Sequence, residues 1–377
     1  NFEFKNYKLK NLHNLNFSYG LRNISCDVNF LLNNKLQIKN LKSYNFDLKK
    51  INISKLNEEV LISASGNKIN LTHFKKNLLN KSLKNEKKIK FDLTSNQIKL
   101  DKKLSISGNY RGSIVNNKIS SVAVGKMLLD KKEILDAGEI KVNVKNKNYT
   151  LIGQGLLGGA KTRVQIIGSE KQLPNVVFES DDGGKLLSAL DFTNNIKSGK
   201  MILKIKYLDK ELSKYNGLIE GKNFSIINAP GIVKSLSSLS FSGINSLFVG
   251  QGVKFEDGVA VFLKTPEKMI FKKILINNET LSIFLNGKYN LNSKNIEFTG
   301  SIAPINIISK IISVVPAVGQ LLTGINKKGI IAGQFKLTGD IKNPEVNLNE
   351  MSFAPGILRE IFSRNWVKEN SLKLNNQ

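Results

Sequence analysis

Apolar and polar residues alternate at period two through most of this chain, in short runs separated by Asn, Gly, Asp and Lys. Successive side chains of a strand point to opposite faces, so the pattern predicts antiparallel strands and hairpins with one apolar and one wetted face. The clearest run is Ile331 to Gly339, with Ile331, Phe335 and Leu337 on one side and Gln334, Lys336 and Thr338 on the other. Met201 to Tyr207 repeats it, Leu203 and Ile205 opposing Lys204 and Lys206. The fold class expected is therefore mainly β. Periodicity by itself leaves open whether the apolar face is a closed core or an open groove.

Several runs close on glycine, as at Gly108, Gly153, Gly168, Gly287 and Gly339. A strand-end glycine there permits a bulge or a turn with positive φ, and the loose repetition suggests a meander of similar hairpins. Gly184 to Leu190, Pro230 to Leu239 and Pro304 to Leu322 carry apolar residues at three- and four-residue spacing and read as short helices on the sheet. A fourth, Pro355 to Val367, is amphipathic and holds the only Trp. Lys81 to Lys90 is a charged stretch that could be a loop or a surface helix, and a soft boundary falls near Pro174.

With 377 residues the chain is long for one compact core, although a sheet that keeps adding strands also reaches this length. The start at Asn1, without an initiator Met or an apolar leader, is read as a fragment or processed form whose anchor would lie outside it. No run approaches the roughly 18 consecutive apolar residues of a spanning helix; Ile302 to Leu322 is interrupted by Pro304, Lys310 and Pro316. The single cysteine, Cys26, excludes an internal disulfide and fits either a reducing or an oxidising compartment. A net charge of +27 favours anionic partners, nucleic acid or phospholipid headgroups. The lysines are spread along the chain, however, as on a solvated basic face.

Catalysis finds no anchor in the sequence. His13 and His73 have no acidic or cysteine partner at ligand spacing, so no metal and no cofactor is implied. HExxH, GxSxG and GxxxxGK[ST] are all absent. Asp181 and Asp182, followed by Gly183 and Gly184, read as a turn or a helix N-cap. The fragments Gly153 to Gly155 and Gly250 to Gly252 lack the third glycine of a dinucleotide site and read as strand-end glycines. A recognition helix, zinc finger or aromatic stacking motif is likewise missing, so nucleic acid is not expected as a partner.

From Ser180 onward the order of motifs resembles the AsmA-like C-terminal domain family of Gram-negative envelope proteins, of YhdP and TamB type. Ser180-Asp181-Asp182-Gly183-Gly184-Lys185-Leu186-Leu187 resembles its acidic turn entering a short helix, and Asn228-Ala229-Pro230-Gly231-Ile232-Val233 its apolar helix start. Gly250-Gln251-Gly252-Val253-Lys254-Phe255 resembles its glycine turn, with Asp257-Gly258-Val259 where a strand opens. Gly300-Ser301-Ile302-Ala303-Pro304, then Val315 to Gly324, Gly339 to Pro344 and Ala354 to Arg359 complete the order.

The resemblance implies an elongated, curved antiparallel β-groove with a few short packed helices, apolar on its concave side. It also implies a non-catalytic protein of the periplasm, anchored in the inner membrane, that conducts phospholipid acyl chains between inner and outer membrane. Residues 1–174 would be a strand-rich groove segment, 175–363 the AsmA-like domain and 364–377 a polar tail. The groove lining is expected at Leu203, Ile205, Val261, Leu263, Ile283, Leu285, Phe298, Phe335 and Leu337. Contact with a membrane surface, or a groove cap, is expected at Ile308, Ile312, Leu321, Ile357, Ile361 and Trp366. Two other readings stand beside this one: an envelope assembly factor that engages outer-membrane or periplasmic proteins through sheet edges, and a basic nucleic-acid binder.

Overall fold

The computed structural model describes residues 12–19, 22–31, 35–56, 59–71, 88–100, 103–115, 118–145, 148–169, 171–227, 248–249, 252–279, 281–304 and 333–349. The chain divides into two compact units, Asn1–Val176 and Val177–Gln377, each described by itself. The fold is mainly β, built on antiparallel sheet.

In the first unit, eleven strands follow one another: β1 (Leu12–Tyr19), β2 (Arg22–Leu31), β3 (Lys35–Lys42), β4 (Phe46–Leu56), β5 (Glu59–Asn70), β6 (Lys88–Lys99), β7 (Leu104–Val115), β8 (Lys118–Leu129), β9 (Lys132–Lys145), β10 (Asn148–Leu157) and β11 (Ala160–Ser169). Each pairs with the next, antiparallel everywhere except β5 with β6, which are parallel. Directly paired residues share a face, so the register converts the alternation of each strand into rows across the sheet. One row reads Ile38, Ile51, Ala64, Leu93, Tyr110, Ala123, Ile140, Gly153, Val164. The neighbouring row, on the other face, reads Lys39, Lys50, Ser65, Thr94, Asn109, Val124, Glu139, Gln154, Arg163. Nine strands thus present one nearly unbroken apolar face and one mostly polar face.

Small residues form a second line across this sheet. Leu48 pairs with Gly66, Gly66 with Ser95, Ser95 with Gly108, Gly108 with Gly125, and Gly125 with Gly138. Register shifts lie along the same line, at Leu48, between Ser95 and Ile98, and between Gly125 and Met127. A Cβ on Gly108 would sit 2.2 Å from the Val124 carbonyl oxygen, and one on Gly125 would sit 2.0 Å from that of Ser107. Both glycines have positive φ, 133° and 142°. The backbones touch here because nothing stands between them, and the bulges bend the sheet along the line. These glycines lie in mid-strand and form a crease; for Gly108, Gly153 and Gly155 the sequence suggests strand ends, and Gly153 and Gly155 are inside β10.

β12 (Asn175–Ser180) straddles the division and pairs with β14. The second unit continues with α1 (Gly183–Ala189), β13 (Ile196–Lys197), β14 (Lys200–Tyr207), β15 (Tyr215–Ile227), β16 (Phe248–Val249), β17 (Gly252–Lys264), β18 (Lys268–Asn277), β19 (Leu281–Asn290), β20 (Asn295–Pro304), β21 (Gly333–Asp340) and β22 (Glu345–Asn349). β14, β15, β17, β18, β19, β20, β21 and β22 pair in that order, all antiparallel. Asp182 starts α1 by accepting the Lys185 N–H on Oδ1 at 3.1 Å, an N-cap. The other expected helices, at 230–239, 304–322 and 355–367, lie outside the described residues, apart from Pro304, which ends β20. Asp257-Gly258 does not open a strand: both residues are within β17, where a Cβ on Gly258 would lie 2.7 Å from the Phe224 ring.

Candidate functional site

In the first unit the apolar face is concave over β3 to β8 and encloses a cavity of about 250 Å³. Its walls are Leu41, Phe46, Leu48, Ile51, Ile53, Ile62, Ala64, Ile69, Leu71, Ile89, Phe91, Leu93, Leu100, Tyr110, Ile114 and Ile119. Every one of these is apolar except for the phenol of Tyr110. Ile51, Ile53, Ile62, Ile89 and Phe91 remain half-buried, whereas Ile140, Val142, Val164 and Ile166, farther along the same face, are at most 2% exposed. The face therefore grades from a partly open trough over β3 to β6 into packed core at β9 to β11.

Tyr110 shows how a polar atom is tolerated in this wall. Its ring lies 5.1 Å from that of Phe91, and Phe91 lies over Gly112, where a Cβ would be 2.8 Å from the ring. The Tyr110 and Ser121 hydroxyl oxygens are 2.9 Å apart, and Ser121 Oγ is 3.2 Å from the Val142 carbonyl oxygen. The carbonyl can only accept and Ser121 has a single proton, so the chain runs from Tyr110 to Ser121 to Val142. Burial pushes the Tyr110 pKa up to about 12.

The wetted face carries ordinary surface chemistry. Gln37 donates to Asn52 at 3.0 Å, and Asn52 to Ser63 at 3.2 Å, in a polar ladder over β3, β4 and β5. Glu59 is held by both Lys88 (2.8 Å) and Lys90 (2.7 Å), whose hydrogen bonds lower its pKa. Among the described residues no group of three or more His, Cys, Asp or Glu converges, and no helix is long and apolar enough to cross a membrane.

Seven of the nine residues expected to line a groove are buried in the second unit. Ile283, Leu285, Phe298, Phe335 and Leu337 pack with Phe224, Val253, Phe255 and Ile276, each at most 8% exposed; Leu203 is fully buried. Ile205 is 7% exposed. Val261 and Leu263 are on the opposite face: Phe262 pairs with Gly217 and Ile205 pairs with Gly217, whereas Val261 pairs with Leu218 and Lys273. An aromatic series crosses the inner side here, Tyr207, Tyr215, Phe262, Phe271 and Phe298, with neighbouring ring centroids 5.4 to 6.3 Å apart. Gly217 and Gly287 make the space for it, since a Cβ would meet the Phe262 ring at 2.1 Å or the Phe298 ring at 2.7 Å. Ile308, Ile312, Leu321, Ile357, Ile361 and Trp366 lie outside the described residues.

The open apolar surface is thus in the first unit, among residues that the sequence reading did not single out. The signal was present: Phe46, Leu48, Ile51, Ile53 and Ile62, Ala64 keep the period-two pattern across one bulge. No protein-family model matches the chain, and no curated protein matches it significantly.

Proposed function

We propose that this protein is a non-catalytic lipid-handling module of the AsmA-like class, whose apolar trough in the first unit takes phospholipid acyl chains. The observation that carries the reading is the cavity of about 250 Å³ with an apolar wall in which Ile51, Ile53, Ile62, Ile89 and Phe91 stay only half-buried. Leaving such a wall in water is costly, and each methylene that covers it returns roughly 0.8 kcal/mol. Along β4 the wall runs from Ile53 to Phe46, roughly 24 Å at about 3.4 Å per residue, while one leaflet of a bilayer core is about 15 Å deep. An acyl chain can lie in it at full length. Such a module would work in the bacterial envelope, between membranes, and needs no reaction: it lowers the cost of taking a chain out of a bilayer by keeping it dry.

The test is native mass spectrometry of protein purified without detergent, with lipid extraction. Co-purified phospholipid is expected from the wild type and a marked loss of it from Ala64→Trp, which fills the trough floor; Ala64→Leu, a smaller filler, should lose less. Circular dichroism confirms that both variants are folded. Wild-type protein that carries no lipid and takes up none from vesicles would overturn the proposal.

A further inference from the structure

The trough has a polarity. Its rows can be followed to the end where the β4–β5 hairpin lies, and there Lys55 pairs with Val60, Val60 with Ile89, Ile89 with Ile114 and Ile114 with Ile119. Lys55 is therefore on the apolar face, two positions beyond Ile53 in the same strand, and it is exposed. Among the described residues the nearest carboxylate in the register, Glu59, is engaged by Lys88 and Lys90 on the other face. At the opposite end the face closes on apolar residues, where Phe46 pairs with Ile69 and Leu104 with Leu129. Among the described residues, an apolar channel with one cation at one mouth is what remains.

We infer that Lys55 receives the phosphate of a phospholipid whose acyl chain lies in the trough, so that lipid enters with its headgroup at the β4–β5 hairpin and its tail toward the crease. This rests on the lipid reading above and adds to it a headgroup class and an orientation. The cation stays in water at the mouth, so the lipid phosphate need not be desolvated to reach it, and the ammonium hydrogen-bonds a phosphate oxygen without any change in the trough. Other strand ends on this side add to the positive potential, Lys35, Lys88 and Lys118 among them, but the register puts those on the wetted face.

The experiment compares two probes that carry the same fluorescent acyl chain, phosphatidylglycerol and uncharged diacylglycerol, on the full chain. Lys55→Glu is expected to weaken phosphatidylglycerol by about fivefold, the scale of one exposed ion pair lost and reversed, and to leave diacylglycerol within about twofold. Lys55→Arg should bind both as the wild type does. If Lys55→Glu changes neither probe, or weakens both equally, the inference is overturned while the lipid reading stands. If the wild type binds neither probe, the lipid reading itself fails.

Discussion

Tyr110 sits where a hydroxyl has to be paid for, and the Ser121–Val142 relay explains why it survives there. A phenolate at this position would be pressed into an apolar wall, so the folded state holds the proton more tightly than the unfolded chain, with a pKa pushed up to about 12 against about 10 in the open chain. Its contribution to stability is complete below pH 10 and is lost as pH rises through 12. Tyr215, raised in the same direction by burial, adds a decline of the same sign, so the informative quantity is a difference between variants. Urea unfolding followed from pH 9 to pH 12 should show a fall in midpoint that is smaller in Tyr110→Phe than in the wild type, by a free energy on the order of 2 kcal/mol. At pH 7 the same variant should cost about 1 kcal/mol, one hydrogen bond. An equal fall in both proteins would mean that Tyr110 ionises freely. None of this was legible in the sequence, where Tyr110 follows Asn109 in an ordinary alternating run; its partner is on β8 and only the register brings it there.

Elements were easier to read than their arrangement. The strands β14 and β21 and the cap at Asp182 follow from local pattern, because period and capping are properties of a few neighbouring residues. The face on which Val261 and Leu263 lie cannot be read locally, because Val259-Ala260-Val261-Phe262-Leu263 is apolar throughout and has no parity; cross-strand pairing of Phe262 with Gly217 decides it. The parallel step from β5 to β6 was equally invisible, since it depends on a long connection and not on either strand. Glycines are legible as bulge or turn positions but not as a line across the sheet: a glycine that ends a hairpin and one that lets two backbones approach look alike until strands are aligned. The crease can be tested as an element. Gly125→Ala places a Cβ against the Ser107 carbonyl at a φ of 142°, and should cost about 2–3 kcal/mol in urea unfolding. Gly159→Ala is the control, because its φ is also positive but nothing lies within 4 Å of its Cβ; it should cost about 1 kcal/mol. Equal losses would show that φ strain alone matters and that the backbones are free to separate.

On the scale of the whole molecule, two forces compete for the choice of partner: a charge of +27 that attracts any polyanion, and a trough that takes only an apolar chain. They differ in how they respond to salt and to a mutation. Attraction of exposed lysines to phosphate is screened beyond about 10 Å at 0.1 M salt, and binding driven by it to duplex DNA would fall by orders of magnitude as salt rises from 50 to 200 mM. Burial of an acyl chain is not weakened by added salt. The lipid reading therefore predicts that association with phosphatidylglycerol vesicles is salt-sensitive at first contact, whereas the amount of labelled lipid retained by the protein after vesicles are removed changes by less than about twofold over the same range. Ala64→Trp separates the two stages: it adds no charge, so vesicle association should be kept, while lipid retention is lost. Retention that vanishes with salt in the wild type, together with DNA binding that shows the steep salt dependence of a polyanion contact and that Ala64→Trp leaves intact, would assign the basic surface to nucleic acid and leave the trough as an incompletely filled core.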